Sequence, residues 1–257
     1  MESEHLPSFR LDGRVAVVTG ASRGIGRGLC LALAAAGATV AVTARSLDQA
    51  GAVASSIEAS GGAATSHRLD VADVGSIADA IDGIAETHGR IDILVANAGL
   101  GGNHAAFDVT EHAWDSMMDV NLKGLFFTAQ ACGRLMVEQG SGRVVAISSQ
   151  ASLVGIREHA VYSASKGGVN QLVKVLALEW GEYGVTVNAV APTFIYTPGT
   201  AERLDDPAYR ASVVARIPLG RVGDIKDVAG AVVYLASEAG GLVNGAILAV
   251  DGGWTAQ

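Results

Sequence analysis

Cysteine is nearly missing from this chain of 257 residues, proline is sparse, and no block of basic residues occurs anywhere. The two cysteines, Cys30 and Cys132, fall in separate helical patterns without paired metal-ligand spacing, and read as small buried thiols in a reducing compartment. With 5 prolines against 33 glycines, tight turns are many and rigid linkers few. Lys+Arg number 18 against 26 Asp+Glu, a net charge of −8, which argues against nucleic acid and anionic membrane surfaces as partners. The histidines show no metal spacing and no His-Glu-x-x-His, so no metal site is expected. The amino terminus, Met1-Glu2-Ser3-Glu4-His5, is acidic and polar, unlike a signal peptide. Residues 28–44 are uncharged, but Gly37-Ala38-Thr39 breaks them into helix, turn and buried strand rather than a membrane span. A cytoplasmic protein is the expectation.

What the chain has is an apolar content of 49% arranged in strict alternation. Strand-like runs at 14–19, 39–44, 63–69, 91–96, 142–148, 185–191 and 245–250 are separated by helical spacing at 24–36, 47–59, 74–88, 111–138, 161–183 and 224–237. Several of the strand runs are continuously apolar, as a sheet covered on both faces requires. This predicts an α/β fold: one doubly wound (Rossmann) domain over 1–257, with a seven-stranded parallel sheet flanked by helices on both faces. Residues 1–10 read as an amino-terminal tail. Residues 193–218 lack clean periodicity and read as a substrate-binding loop region, since a loop that long inside one domain is more often a lid than a boundary.

Two short pieces carry chemistry. Thr19-Gly20-Ala21-Ser22-Arg23-Gly24-Ile25-Gly26 follows the first strand run and opens a helix. Glycines there permit the turn and let backbone approach a pyrophosphate, while the helix amino terminus supplies amide donors. Tyr162-Ser163-Ala164-Ser165-Lys166 places a phenol and an ammonium one helical turn apart, on one face. A phosphate-binding turn and a proton-transfer pair together point to nicotinamide-dependent redox chemistry at a carbon–oxygen bond. A phenol with pKa ≈ 10 is a poor base at neutral pH, and a cation beside it favours the phenolate.

These residues, with Asp70-Val71, Asn97-Ala98-Gly99, Asn121, Ser149 and Val250-Asp251-Gly252-Gly253 in this order, resemble the short-chain dehydrogenase/reductase family, of its shorter type, over almost the whole chain. The resemblance implies that Gly20, Ser22, Arg23, Gly24, Ile25 and Gly26 hold the cofactor, that Asp70 accepts from its adenine amine, and that the Val71 amide contacts the ring. It implies that Asn97, Ala98 and Gly99 pass close to the adenosine. The segment Pro192, Thr193, Ile195 and Thr197 would lie against the nicotinamide; the family's usual Pro-Gly is Pro192-Thr193 here, which weakens the match at that point. Where a carboxylate would recognise the ribose hydroxyls of NAD, the second strand ends in Ala44 followed by Arg45. Arg45 and Arg23 favour a phosphate, so NADP(H) is expected over NAD(H).

By the same resemblance, Tyr162 transfers the proton, Ser149 holds the substrate oxygen, Lys166 tunes Tyr162 and holds the ribose, and Asn121 maintains a water relay to Lys166. Ser148 and Ser149 face opposite ways on a strand, and the resemblance, through the family's serine-to-tyrosine spacing, implies Ser149. His159 and Arg157 are further candidates for the pocket wall. The expected function is interconversion of a secondary alcohol and a carbonyl compound, on a small polar, polyol or sugar-like substrate. A 3-oxoacyl-thioester reductase is the alternative within the enzyme class, and a non-catalytic dinucleotide-sensing protein the alternative outside it. The family also implies a homotetramer.

Overall fold

Valine and alanine runs with no polar interruption can form strands only where both faces are covered, and the computed structural model, which describes residues 7–256, arranges them so. The strands are β1 (Val15–Val18), β2 (Thr39–Ala44), β3 (Ala63–Arg68), β4 (Ile93–Ala96), β5 (Gly142–Ile147), β6 (Val185–Pro192) and β7 (Ile247–Val250). They form one sheet in the order β3-β2-β1-β4-β5-β6-β7, parallel throughout, as anticipated. The order reverses between β1 and β4, so a crevice opens there beyond the strands' carboxyl ends.

The helices are α1 (Gly24–Ala35), α2 (Leu47–Ala59), α3 (Val74–His88), α4 (Glu111–Met118), α5 (Gly124–Gln139), α6 (Ala160–Trp180), α7 (Ala201–Leu204), α8 (Pro207–Val214) and α9 (Ile225–Ala236). Successive strand side chains alternate between two cores. Ala16, Val18, Val40, Val42, Val145 and Ile147 pack with Leu29 and Leu33 of α1, Val53 and Ile57 of α2, and Val228 and Val232 of α9. Val17, Ala41, Leu94, Val144 and Ala146 meet Ile77, Ile81 and Ile84 of α3, Cys132 and Met136 of α5, and Val169 and Val173 of α6. Both cysteine thiols are buried and free, and burial pushes each up to about 12.

The sequence spacing differs from the structure in three places. The helix expected over 111–138 is two helices joined by a π-helical segment, Asp119–Lys123. The region 193–218 is not open loop, because α7 and α8 lie within it. They pack through Leu204 and Val213 into a third apolar cluster with Ile217, Val222, Phe194 and Trp254. The amino-terminal tail expected over 1–10 falls outside the described residues up to residue 6. Within the rest, Phe9 lies 6.3 Å from the Tyr234 ring of α9, and Arg10 bonds to Asp12 and to the Ala35 carbonyl. No helix among the described residues is long and apolar enough to cross a membrane. No group of three or more metal-ligating side chains occurs among them either.

Candidate active site

The turn after β1 begins the site. Gly20 (φ +64°) and Gly24 (φ +56°) hold backbone angles that side chains rarely adopt. A Cβ on Gly26 would stand 2.5 Å from the Asn97 amide nitrogen, and one on Gly20 2.8 Å from Ala98 Cα. These glycines are therefore required by the close approach of α1 to the end of β4. Arg23, the residue before α1, caps nothing with its side chain, and the first turn of α1 holds no acidic residue. The first amides of the helix thus remain open to an outside acceptor.

That helix end opens onto a cleft of about 1000 Å³ running along the carboxyl edge of the sheet. Its wall includes Gly20, Ser22, Arg23, Gly24, Ile25 and Gly26 from the turn, Arg45 after β2, Asp70 and Val71 after β3, and Asn97, Ala98 and Gly99 after β4. It includes Ser149 after β5, Tyr162 and Lys166 on α6, and Pro192, Thr193, Ile195 and Thr197 at and after β6. Asn97 is pinned to the turn, its side chain donating to the Thr19 and Gly20 carbonyls at 2.9 and 3.2 Å. Arg23 and Arg45 are exposed and make no ion pair among the described residues. Thr193 is 9% exposed, and its buried hydroxyl has no hydrogen-bond partner.

The residues present fit a nicotinamide dinucleotide. An uncapped helix amino terminus behind a glycine turn suits a pyrophosphate, an orphaned hydroxyl at the end of β6 suits a polar group of the ring, and the cleft has a cofactor's volume.

Asn121 does not line this cleft. It is buried in the π-helical segment one layer behind, where its amide accepts from the Leu100 N–H at 2.7 Å and donates to the Leu100 carbonyl at 2.9 Å and to Ser165 Oγ at 3.1 Å. Both ends of its side chain are used in holding the loop after β4. Ser148 turns inward, bonding to Asn170 Oδ1 at 2.7 Å. Ser149 turns to the cleft, its hydroxyl donating to Gln150 Oε1 at 3.0 Å and accepting from the Ala151 N–H at 3.1 Å.

Burial pushes the Tyr162 phenol above its ordinary value, and the facing Ser149 hydroxyl offsets only part of that. The sequence expectation was a phenolate favoured by the neighbouring ammonium; against that pull stands the burial of both groups. Lys166 Nζ lies 6.0 Å from the Tyr162 ring centroid and donates to the Ile147 carbonyl at 2.7 Å. Burial lowers Lys166 itself to about 8. Desolvation therefore dominates both groups.

Sequence reasoning missed Gln150 and Ile156, which line the cleft, whereas Phe194 and Arg203, also in its lining, fall within the 193–218 region expected to bind substrate. His159 also lines it, whereas Arg157 does not and is exposed. Gln150 had one signal, a polar residue beside Ser149 at a strand's carboxyl end.

The geometry can be set beside known proteins. A family model described as enoyl-(acyl carrier protein) reductase matches residues 20–255. D-threitol dehydrogenase of Mycolicibacterium smegmatis is 42% identical over 248 residues, covering 96% of this chain and 95% of that one. The chain belongs to the short-chain dehydrogenase/reductase family. As a member, it is an NAD(P)-dependent oxidoreductase acting between alcohols and ketones. A second relative in the family, 2-dehydro-3-deoxy-D-gluconate 5-dehydrogenase of Pseudoalteromonas atlantica, is 40% identical over 250 residues, 97% of this chain and 98% of that one. The solved gluconate 5-dehydrogenase of Burkholderia cenocepacia, in complex with NADP and tartrate, superposes with a TM-score of 0.95 at 38% identity, covering 98% of each chain.

Proposed function

We propose that the chain interconverts a small, polyhydroxylated or sugar-like alcohol and its ketone, with NADP(H) preferred over NAD(H). The observation that carries this is the placement of Tyr162 against Ser149 in the same cleft as the open amino terminus of α1. His159 lies against Tyr162, and Gln150, Ile156, Lys166 and Arg203 line the same cleft, a mixture of hydrogen-bonding, apolar and cationic groups. A small polyhydroxylated substrate suits that lining. The relatives' names include both a threitol and a ketogluconate dehydrogenase.

Bound nicotinamide would supply or accept the hydride. In the direction of reduction, Ser149 would donate a hydrogen bond to the carbonyl oxygen and stabilise the charge developing on it, while Tyr162 gives that oxygen a proton. Lys166, charged below about 8 and fixed on the Ile147 carbonyl, would hold the ribose and favour the phenolate that proton transfer leaves. Asn121 acts as a positioning residue through Leu100 and Ser165. Arg45 and Arg23 would meet a 2′-phosphate, with Asp70 and the Val71 amide at the adenine and Thr193 and Thr197 at the nicotinamide end. A reducing, cytoplasmic setting accords with two buried free thiols, and a homotetramer belongs to the same reading.

Tyr162→Phe is expected to lower kcat by about 10³-fold, within the usual range for removing a general acid, while NADPH fluorescence still reports binding. Near-normal turnover would remove Tyr162 as the acid.

A further inference from the structure

Away from the cleft, two histidines meet over one hydroxyl. Thr65 Oγ1, on β3, lies 2.9 Å from His67 Nε2 and 2.9 Å from His88 Nε2. With both rings neutral, the hydroxyl donates to one and accepts from the other. The ring centroids stand 6.4 Å apart with the planes at 61°, so the two Nε2 atoms converge on one point from different directions. All three side chains are only partly buried, which leaves that point within reach of water.

Each ring is carried by a fixed element. Thr65 and His67 share one face of β3, whose six residues all pair with β2. His88 ends α3, which is anchored to the sheet by Ile77, Ile81 and Ile84. The last carbonyls of that helix carry partial negative charge, which favours a cation beside them. Imidazoles are neutral above about pH 6.5 and in that form ligate zinc, copper and nickel. No third histidine, cysteine or carboxylate joins the pair among the described residues, so an oxygen-seeking ion such as magnesium or calcium has nothing to hold it.

We infer that His67 and His88 form a binding site for a divalent transition-metal ion of the zinc class, with water completing its shell. Zn–N bonds of about 2.1 Å set two nitrogens about 3.4 Å apart around a tetrahedral ion, and small rotations of two partly exposed rings bring them there. The ion takes over the link that the Thr65 hydroxyl makes between the rings and clasps β3 to the end of α3. The chain hides this site from motif reading, because one ligand comes from a strand and the other from the far end of the next helix.

The test titrates zinc chloride into the full chain near neutral pH by calorimetry. One equivalent is expected to bind with a dissociation constant on the order of 10 μM, weaker than a four-ligand structural site. Magnesium chloride should give no binding. His67→Gln and His88→Gln should each weaken zinc by about 10-fold or more, since even outer-shell losses cost that much. Neither residue lines the cleft, so NADPH fluorescence reports whether each variant is folded. In a wild-type crystal soaked in zinc chloride, anomalous scattering at the zinc edge should place an ion between the two Nε2 atoms. Unchanged affinity in either folded variant overturns the inference, as does anomalous density found only at other histidines. Wild-type protein that takes up no zinc overturns it too, leaving the pair as a hydrogen-bonded brace.

Discussion

Arg45 stands where β2 stops, directly after buried Ala44, and its guanidinium is exposed on the cleft wall with no carboxylate partner among the described residues. The proposed preference for NADP(H) over NAD(H) rests on a charge in that position. Arg45→Ala is expected to weaken NADP(H) binding about 10–100-fold more than NAD(H) binding, the worth of one charge-assisted contact, measured by fluorescence titration of both. Equal weakening would show that the arginine does not meet the phosphate. At this scale the sequence was legible wherever a motif fixes the position. Gly20, Gly24, Gly26, Tyr162 and Lys166 fall in the cleft because backbone angle and helical spacing leave them little choice. It was not legible where burial decides. The pair Tyr162–Lys166 can be seen in a sequence, but the carbonyl of Ile147 that holds the ammonium comes from a distant strand. Gln150 is one polar residue among many until the fold buries it against Ser149.

Among the elements, β1 and β4 are joined at their beginnings by one carboxylate. Asp92, 2% exposed, accepts from Arg90 at 2.5 and 2.8 Å, from Arg14 at 3.1 Å and from the Val15 amide at 2.9 Å. Burial would raise this acid, but the bonds from Arg90, Val15 and Arg14 outweigh it and hold the carboxyl below its ordinary range. A lowered acid contributes stability that is present above its unfolded pKa of about 3.9 and is lost as pH falls through the folded value. Asp92→Ala should therefore cost about 2 kcal/mol near neutrality, discounted for two half-exposed arginines, with the deficit shrinking below about pH 4. Urea unfolding at pH 7 and pH 3 checks it; a constant deficit would mean that shape rather than charge is lost. Strands were legible because an apolar run buried on both sides has one explanation. The π-helical break was not, because Asn121 leaves helical spacing in order to reach the Leu100 peptide in a distant loop. Nor were α7 and α8, since their apolar side chains face Trp254 and Phe194 rather than the sheet.

For the whole molecule, apolar surface is unevenly spent. Val175 and Leu178 on α6 are 45% and 83% exposed, and β7, at one edge of the sheet, is only partly covered. Both places agree with the proposed homotetramer, in which α6 and the carboxy-terminal strand would be covered by other copies. Sedimentation at micromolar concentration should give the mass of four chains, and Leu178→Glu should lower it; a monomer from the unaltered chain would remove the proposal. The loop before α6, the segment after β6 and Trp254 share an apolar cluster of their own, whose buried members belong to neither face of the sheet. The roof of the cleft is thus fastened separately from the frame beneath it. Loss of a side chain from that cluster is therefore expected to loosen the roof while the two cores of the frame stay packed.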